Sequence, residues 1–250
     1  MPSAEIAALV VAAFFAGGFV KGAIGLGLPV VVLPVLAVAM SLRDALAIFL
    51  LPAIFANLWQ ATNGPWLGTL VRRMWPFLGA AVLGILAGAS VLAGSRSETM
   101  ALVLGLLLIA YASYALLAPR LPEPGPREVW MSPAAGASAG VLFGMSGLFI
   151  IPGILYLETL RMPRDQFVQA LGLTFITISL TLALAMARYS LVTVEHVVLA
   201  GVGFLPMWAG LWCGTRIRRR ISEPQFRKLF FVALIVVGVY LIAKSLWPLS

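Results

Sequence analysis

The residues best suited to chemistry lie at two glycine-rich points of the chain. The first is residues 22–27, which directly follow Lys21, and the second is residues 144–147. If each point interrupts a helix inside a membrane, the helix piece that follows presents unpaired backbone N–H groups carrying about half a positive charge. Glycine lets a small anion approach those groups closely. The residues expected to bind an anion there are Lys21, Gly22, Gly25, Gly27, Ser146 and Gly147.

Composition indicates that both points belong to a membrane protein. The 250 residues are 62% hydrophobic and 10% charged, and the mean hydropathy is +1.04, whereas soluble domains are about 25% charged. The net charge of +8 comes from basic residues in short connections between apolar runs, which indicates membrane topology and lipid contact and not nucleic acid. One cysteine and one histidine cannot build a metal site, and the sequence lacks nucleotide-loop and catalytic-triad patterns. We therefore expect no metal, no cofactor and no enzyme.

Eight apolar segments follow one another and predict an all-α polytopic membrane protein. They are residues 6–40, 45–61, 74–93, 100–118, 131–160, 167–187, 194–214 and 229–246. All but the first and fifth have the ordinary length of a membrane crossing. The polar stretch PRLPEPGPRE (119–128) divides the chain near its middle.

The two halves resemble each other in order and spacing. GGFVKGAIGLGLP (17–29) matches AGVLFGMSGLFIIP (139–152) in its glycines, and MSLRD (40–44) corresponds to MPRD (162–165). We expect a first repeat at 1–118, a polar linker at 119–129 and a second repeat at 130–250, each repeat being one broken segment plus three transmembrane helices. Lys21 corresponds to Phe143, so the two glycine-rich points are not expected to do the same job.

The first segment of each half is too long for one crossing. As an unbroken helix, residues 6–40 would measure about 50 Å against a bilayer core of about 30 Å. Glycines and Pro29 near the middle predict a broken helix or re-entrant hairpin with its tip at 22–27, and a second tip at 144–147. The alternative is that the glycines only allow tight helix packing. We expect such packing at Gly79, Gly84, Gly88, Gly201 and Gly203.

Two topologies are open. If every segment crosses, the connections carry ten basic residues on one side and six on the other; if segments one and five are returning hairpins, the split is twelve against four. The second arrangement makes the repeats inverted, and the positive-inside rule favours it.

Several polar side chains inside the apolar segments are further candidates. Lys21 costs at least about 2.5–3.5 kcal/mol at the centre of a membrane unless it is paired or hydrated, which suits an anion site, although snorkelling to the interface is an alternative. Asn57, Thr174 and Thr177 are expected to contact the substrate. For these three, and for Gln60, Gln169 and Ser179, hydrogen bonding between helices is the competing explanation.

AGGFVKGAIGLGLPVVVLPVL (16–36) and AGVLFGMSGLFIIPGILYL (139–157) resemble the two motifs of the TauE/SafE family of sulfite exporter-like permeases, and residues 210–242 are similar to its C-terminal ending. The resemblance implies transport of sulfite, sulfoacetate or related organosulfonates across a bacterial inner membrane, coupled to the proton gradient. The chain has Leu28 where the family commonly has glycine, and Leu148 and Phe149 where it commonly has Gly-Pro. These departures predict a narrower or more apolar pocket, so carboxylates and other sulfonates remain alternative substrates.

The expected function is therefore secondary transport, by export, of a small anion across the inner membrane. The alternative is a non-transporting membrane subunit that anchors a soluble partner through the basic residues between 216 and 228. The expected partners are a small anion and the lipid bilayer, with a homodimer left open and nucleic acid excluded.

Overall fold

The computed structural model describes residues 4–24, 27–117, 122–217 and 223–246. Within those ranges the chain forms helices and short connections, and no strand occurs among them. A 3-10 turn at Gly125–Arg127 and a π-helical turn at Ile150–Ile154 precede α6 and α7. The α-helices of the described residues are α1 Ala4–Ile24, α2 Leu28–Ala39, α3 Leu42–Thr62, α4 Leu67–Gly94, α5 Ser97–Leu117, α6 Glu128–Ser146, α7 Leu155–Thr159, α8 Arg164–Arg188, α9 Val194–Ile217 and α10 Glu223–Leu246.

Six helices of the described chain are long and apolar enough to cross a membrane, namely α1, α3, α4, α5, α8 and α9. In α10 the stretch Leu234–Leu246 is apolar as well. The predicted class, an all-α polytopic membrane protein, is confirmed. Helix α6 begins at Glu128, within the predicted linker 119–129, and residues 118–121 lie outside the described part of the chain.

The first over-long segment is broken inside its predicted tip. Helix α1 ends at Ile24, and Gly27 lies before α2 with φ 115°, a left-handed conformation that glycine adopts without strain. Pro29 stands in the first turn of α2, where its missing N–H costs no hydrogen bond. A Cβ added to Gly17 would lie 2.6 Å from Val32 Cγ2, so α2 folds back along α1. Segment one is therefore a hairpin.

The second over-long segment is also broken at its predicted tip. Helix α6 ends at Ser146, and Gly147 follows with φ 75° while its N–H donates to the Phe143 oxygen at 2.7 Å. The π-helical turn and α7 form the second arm. After that arm Arg161 pairs with Glu123, which precedes α6, at 3.9 Å. The second segment therefore also folds back on itself, so that the chain before α6 and the chain after α7 lie close together.

The chain packs as two compact units, and each unit draws segments from both sequence halves. The first unit comprises Met1–Pro52, Ser95–Ala118 and Leu191–Ser250, and the second comprises Ala53–Gly94 and Pro119–Ser190. The boundary falls at Pro52 within α3. Packing units therefore do not follow the expected repeats 1–118 and 130–250, which remain a prediction about internal duplication.

In the first unit, α1 and α9 run parallel with their backbones in contact. A Cβ at Gly18 would overlap the Met207 oxygen, and one at Gly22 would overlap the Leu211 oxygen. From the other side, a Cβ at Gly214 would overlap the Phe19 oxygen. Helices α5 and α10 pack antiparallel in the same unit, where a Cβ at Gly105 would meet Gly238 and Ile242, and one at Gly238 would meet Gly105 and Ile109.

The second unit repeats this construction with α4 and α6. A Cβ at Gly84 would overlap the Ala137 oxygen, and one at Gly140 would overlap the Ala81 oxygen. The packing role expected for Gly84 and Gly88 is confirmed, and Gly203 faces the ring of Phe14. The packing role expected for Gly79 and Gly201 was wrong, because a Cβ at either position would meet no atom of the described residues within 4 Å.

Replacing Gly140 by alanine should therefore destabilise the protein, by about 1–3 kcal/mol or more, because the new methyl group forces α6 away from α4. Gly79→Ala is the matched control, since it adds the same methyl group at an open helical position and should be neutral or slightly stabilising. Thermal unfolding in detergent measures both. Equal melting temperatures for the two variants would contradict the close packing.

Candidate functional site

The residues expected to bind an anion fall into two groups, one in each packing unit. Lys21, Gly22 and Gly27 lie in the first unit, while Asn57, Ser146, Gly147, Thr174 and Thr177 lie in the second. Gly25 lies outside the described residues.

Lys21 lies in the last turn of α1, just before the first break, and its side chain is half-buried. The next residue, Gly22, is buried against the backbone of Leu211, Gly214 and Thr215 in α9. Tight packing therefore accounts for the glycine at position 22. Gly27 provides the left-handed residue from which α2 begins, and Val31 N–H donates back to the Gly27 oxygen at 3.1 Å. The break thus places the cationic Lys21 side chain seven residues before Leu28, the first residue of α2.

Ser146 secures the second break. Its hydroxyl donates to the Leu142 oxygen at 2.7 Å and accepts the Leu148 N–H at 3.2 Å. The side chain is fully buried. Ser146 therefore compensates backbone groups that the helix end leaves without partners.

Aromatic rings surround the second tip. The ring of Phe149 makes edge contacts with Phe77, Phe143 and Phe175, with centroids 5.8, 6.0 and 6.3 Å apart. A Cβ at Gly153 would lie within 3 Å of the Phe149 ring, so glycine is required beneath it. The sequence position at which the family resemblance predicts Gly-Pro is thus occupied by a packed aromatic side chain.

Polar side chains of α3 and α8 join these helices. Gln169 is buried, and its amide donates to the Ala61 oxygen at 2.9 Å and the Gly64 oxygen at 3.0 Å while its oxygen accepts the Trp66 N–H at 3.1 Å. Gln60 donates to the Val168 oxygen at 2.8 Å. Hydrogen bonding between helices, the alternative explanation, accounts for both glutamines. Asn57 is also buried.

Thr174 stands apart from the other polar residues of α8. Its side chain is fully buried, and its hydroxyl has no hydrogen-bond partner among the residues that the structure describes. Burying an unpaired hydroxyl costs about 1–3 kcal/mol. Thr177, one turn later, donates to the Leu173 oxygen of its own helix at 2.8 Å. The next residue after Thr174 is Phe175, whose ring contacts the tip residue Phe149.

The structure also reveals a pair that the sequence did not predict. His196 Nε2 lies 3.2 Å from Asp44 Oδ1, so the first turn of α9 meets the first turn of α3. Local signals existed in the S-x-x-D pattern at 41–44 and the T-x-x-H pattern at 193–196, both typical of helix N-caps. Nothing local indicates that the two caps face each other.

The fold and these sites define a class: a multi-pass helical membrane protein in which two hydrophobic segments are interrupted at glycines. The family model of the sulfite exporter TauE/SafE matches residues 9–241. The chain therefore belongs to the TauE/SafE family, whose members are sulfite exporter-type membrane transporters. No curated protein and no solved structure matched the chain.

Proposed function

We propose that the protein is a secondary transporter that exports small anions, such as sulfite, sulfoacetate or related organosulfonates and carboxylates, across the inner membrane and is coupled to the proton gradient. The observation that carries this proposal is the pair of breaks at Gly27 and Gly147 in two membrane-length segments. Paired discontinuous helices are a recurrent feature of transporter binding sites, because interrupted backbone at membrane depth is tolerated only around protein or a polar cavity.

Three features support an anion as the ligand. The N-terminal N–H groups of α2 lack intrahelical acceptors and carry a partial positive charge. Lys21 adds a full charge near the same break. The unpaired Thr174 hydroxyl is a donor for which a bound anion would supply the acceptor.

Contacts within the first unit support inverted repeats. Lys244, near the end of α10, donates to the Val38 oxygen near the end of α2 at 2.7 Å, and Ser245 donates to the Glu98 oxygen at the start of α5. If every segment crossed the membrane, each of these pairs would lie on opposite faces, about 30 Å apart. The inverted arrangement puts them on one face, together with the Asp44–His196 pair, and leaves twelve basic residues on the other face, which is then cytoplasmic.

Single-cysteine labelling tests this topology. In a Cys213→Ser background, Ser95→Cys and Leu191→Cys lie in the α4–α5 and α8–α9 connections. With inverted repeats, a membrane-impermeant maleimide added to intact cells should label both. Labelling of only one would indicate that every segment crosses and would contradict the inverted arrangement.

Thr174→Val tests the proposed site. Valine removes the hydroxyl at nearly constant shape, so the protein should melt at the same temperature or higher. A lost hydrogen bond to a charged ligand is worth about 1.5–3 kcal/mol, so anion flux at subsaturating concentration should fall about tenfold or more. Proteoliposomes loaded with radiolabelled sulfite or sulfoacetate measure the flux.

Thr181→Val is the matched control, because the Thr181 hydroxyl donates to the Thr177 oxygen on the same helix and is not expected to contact substrate. Equal flux in the two variants would remove Thr174 from the site. Absence of flux for every small anion in the wild-type protein, with or without a pH gradient, would contradict the transporter proposal and favour the membrane-subunit alternative.

A further inference from the structure

Two helix N-caps face each other at one end of the first unit. At α3, Ser41 is the N-cap: its oxygen accepts the Ala45 N–H at 3.0 Å, and its hydroxyl accepts the Asp44 N–H at 3.2 Å. The same hydroxyl donates to Asp44 Oδ2 at 2.6 Å. Asp44 is thereby fixed with its other carboxylate oxygen pointing to His196.

The second cap uses histidine where glutamate or glutamine is usual. Thr193 caps α9: its oxygen accepts the Val197 N–H at 3.3 Å, and its hydroxyl accepts the His196 N–H at 3.4 Å. In return, Thr193 N–H donates to His196 Nδ1 at 3.1 Å. This reciprocal pattern is a capping box, in which the third helical residue must offer an acceptor.

The cap determines the tautomer of the imidazole. Nδ1 accepts a hydrogen bond, so in the neutral ring the hydrogen is on Nε2, which donates to Asp44 Oδ1 at 3.2 Å. The imidazole is only 12% exposed, whereas the Asp44 side chain is 46% exposed and in contact with solvent. Neutral His196 therefore serves both helix caps: Nδ1 accepts the Thr193 N–H at the start of α9, and the Nε2 hydrogen is donated to Asp44 at the start of α3.

A proton bound at Nδ1 is incompatible with this arrangement. The cation has hydrogens on both nitrogens, so it cannot accept the Thr193 N–H, and a positive charge at the N-terminus of α9 opposes the helix dipole. The Asp44 carboxylate attracts the same cation. Proton uptake therefore exchanges the cap of α9 for a stronger ion pair, and the start of α9 must rearrange.

Rearrangement at this position would reach the first break. Helix α9 packs backbone to backbone on α1 from Gly210 to Gly214, and α1 carries Lys21 near the tip. The helices are parallel and in backbone contact, so we expect a shift of α9 to displace α1. The charged residues on the elements at this end of the unit are Glu5, Arg43, Arg96, Glu98, Glu195 and Lys244.

We propose that the His196–Asp44 pair is the binding site of the coupling proton. This inference rests on the proposed function, since it names the residue at which a transporter of this kind would take up the proton. In the inverted arrangement the pair lies on the face opposite the twelve basic residues, where it would exchange protons with the extracytoplasmic solution.

His196→Gln separates this role from a structural one. Glutamine at the third helical position supplies an acceptor for the Thr193 N–H and so keeps the cap, but it binds no proton. We expect this variant to melt near the wild-type temperature and to lose the flux driven by a pH gradient, by about tenfold or more. His196→Ala removes the cap as well and should also lower the melting temperature.

The outcomes distinguish the claims. If the His196→Gln variant keeps pH-driven flux with the wild-type pH profile, His196 only contributes to the cap of α9 and the inference is overturned. If neither histidine variant folds, Asp44→Asn provides the test, since it keeps an acceptor for Ser41 but removes the negative charge. Wild-type pH-driven flux in this variant would overturn the inference. Wild-type anion flux that does not depend on the pH gradient overturns the proton site alone, whereas absence of any flux overturns the proposed function as well.

A binding measurement provides an independent test. His196 is the only histidine of the chain, so imidazole-labelled protein gives one set of nitrogen signals. We expect the Nε2–H tautomer at alkaline pH, and because linkage is reciprocal, saturating sulfite or sulfoacetate should shift the titration midpoint of this signal. A midpoint that does not move on saturation with a transported anion would contradict the coupling.

Discussion

The structure depends on one constraint: inside a bilayer every backbone N–H and C=O needs a partner within the protein. The chain breaks two hydrophobic segments, and it therefore has to pack the helix beside each break against protein. It does so with glycine. Backbone contact between α1 and α9, and between α4 and α6, places a second helix directly against each broken one. At the second tip, Ser146 and the ring of Phe149 complete the enclosure.

The same constraint explains why the packing units cross the sequence halves. Each broken helix is held by a helix from the other half, so α9 supports the first break and α4 supports the second. Any event that moves α9 can then act on α1. The start of α9, where Thr193 caps the helix and His196 completes the capping box, is the position at which we propose that a proton binds.

The breaks could be predicted from sequence because helix length, glycine and proline are local information. Gly27 and Gly147 take left-handed conformations at or beside the predicted tips. The partners of those breaks could not be predicted, because contacts such as Gly22 with Leu211 join residues far apart in the chain. The pair of Asp44 and His196 was missed for that reason. Gly79 and Gly201 were predicted to pack against a neighbouring helix but face none in the described part of the chain, because a glycine in an apolar helix need not lie at a contact.

The most direct test of the central claim, that the protein binds a small anion, is ligand-dependent thermal stabilisation of the purified protein in detergent. A ligand that binds only the folded state adds about 2.7 kcal/mol of stability at a concentration of one hundred times its dissociation constant. The prediction is that sulfite or a small sulfonate raises the melting temperature in proportion to the logarithm of its concentration, while equal ionic strength of chloride does not. A melting temperature that responds equally to chloride and to every oxyanion would contradict the claim.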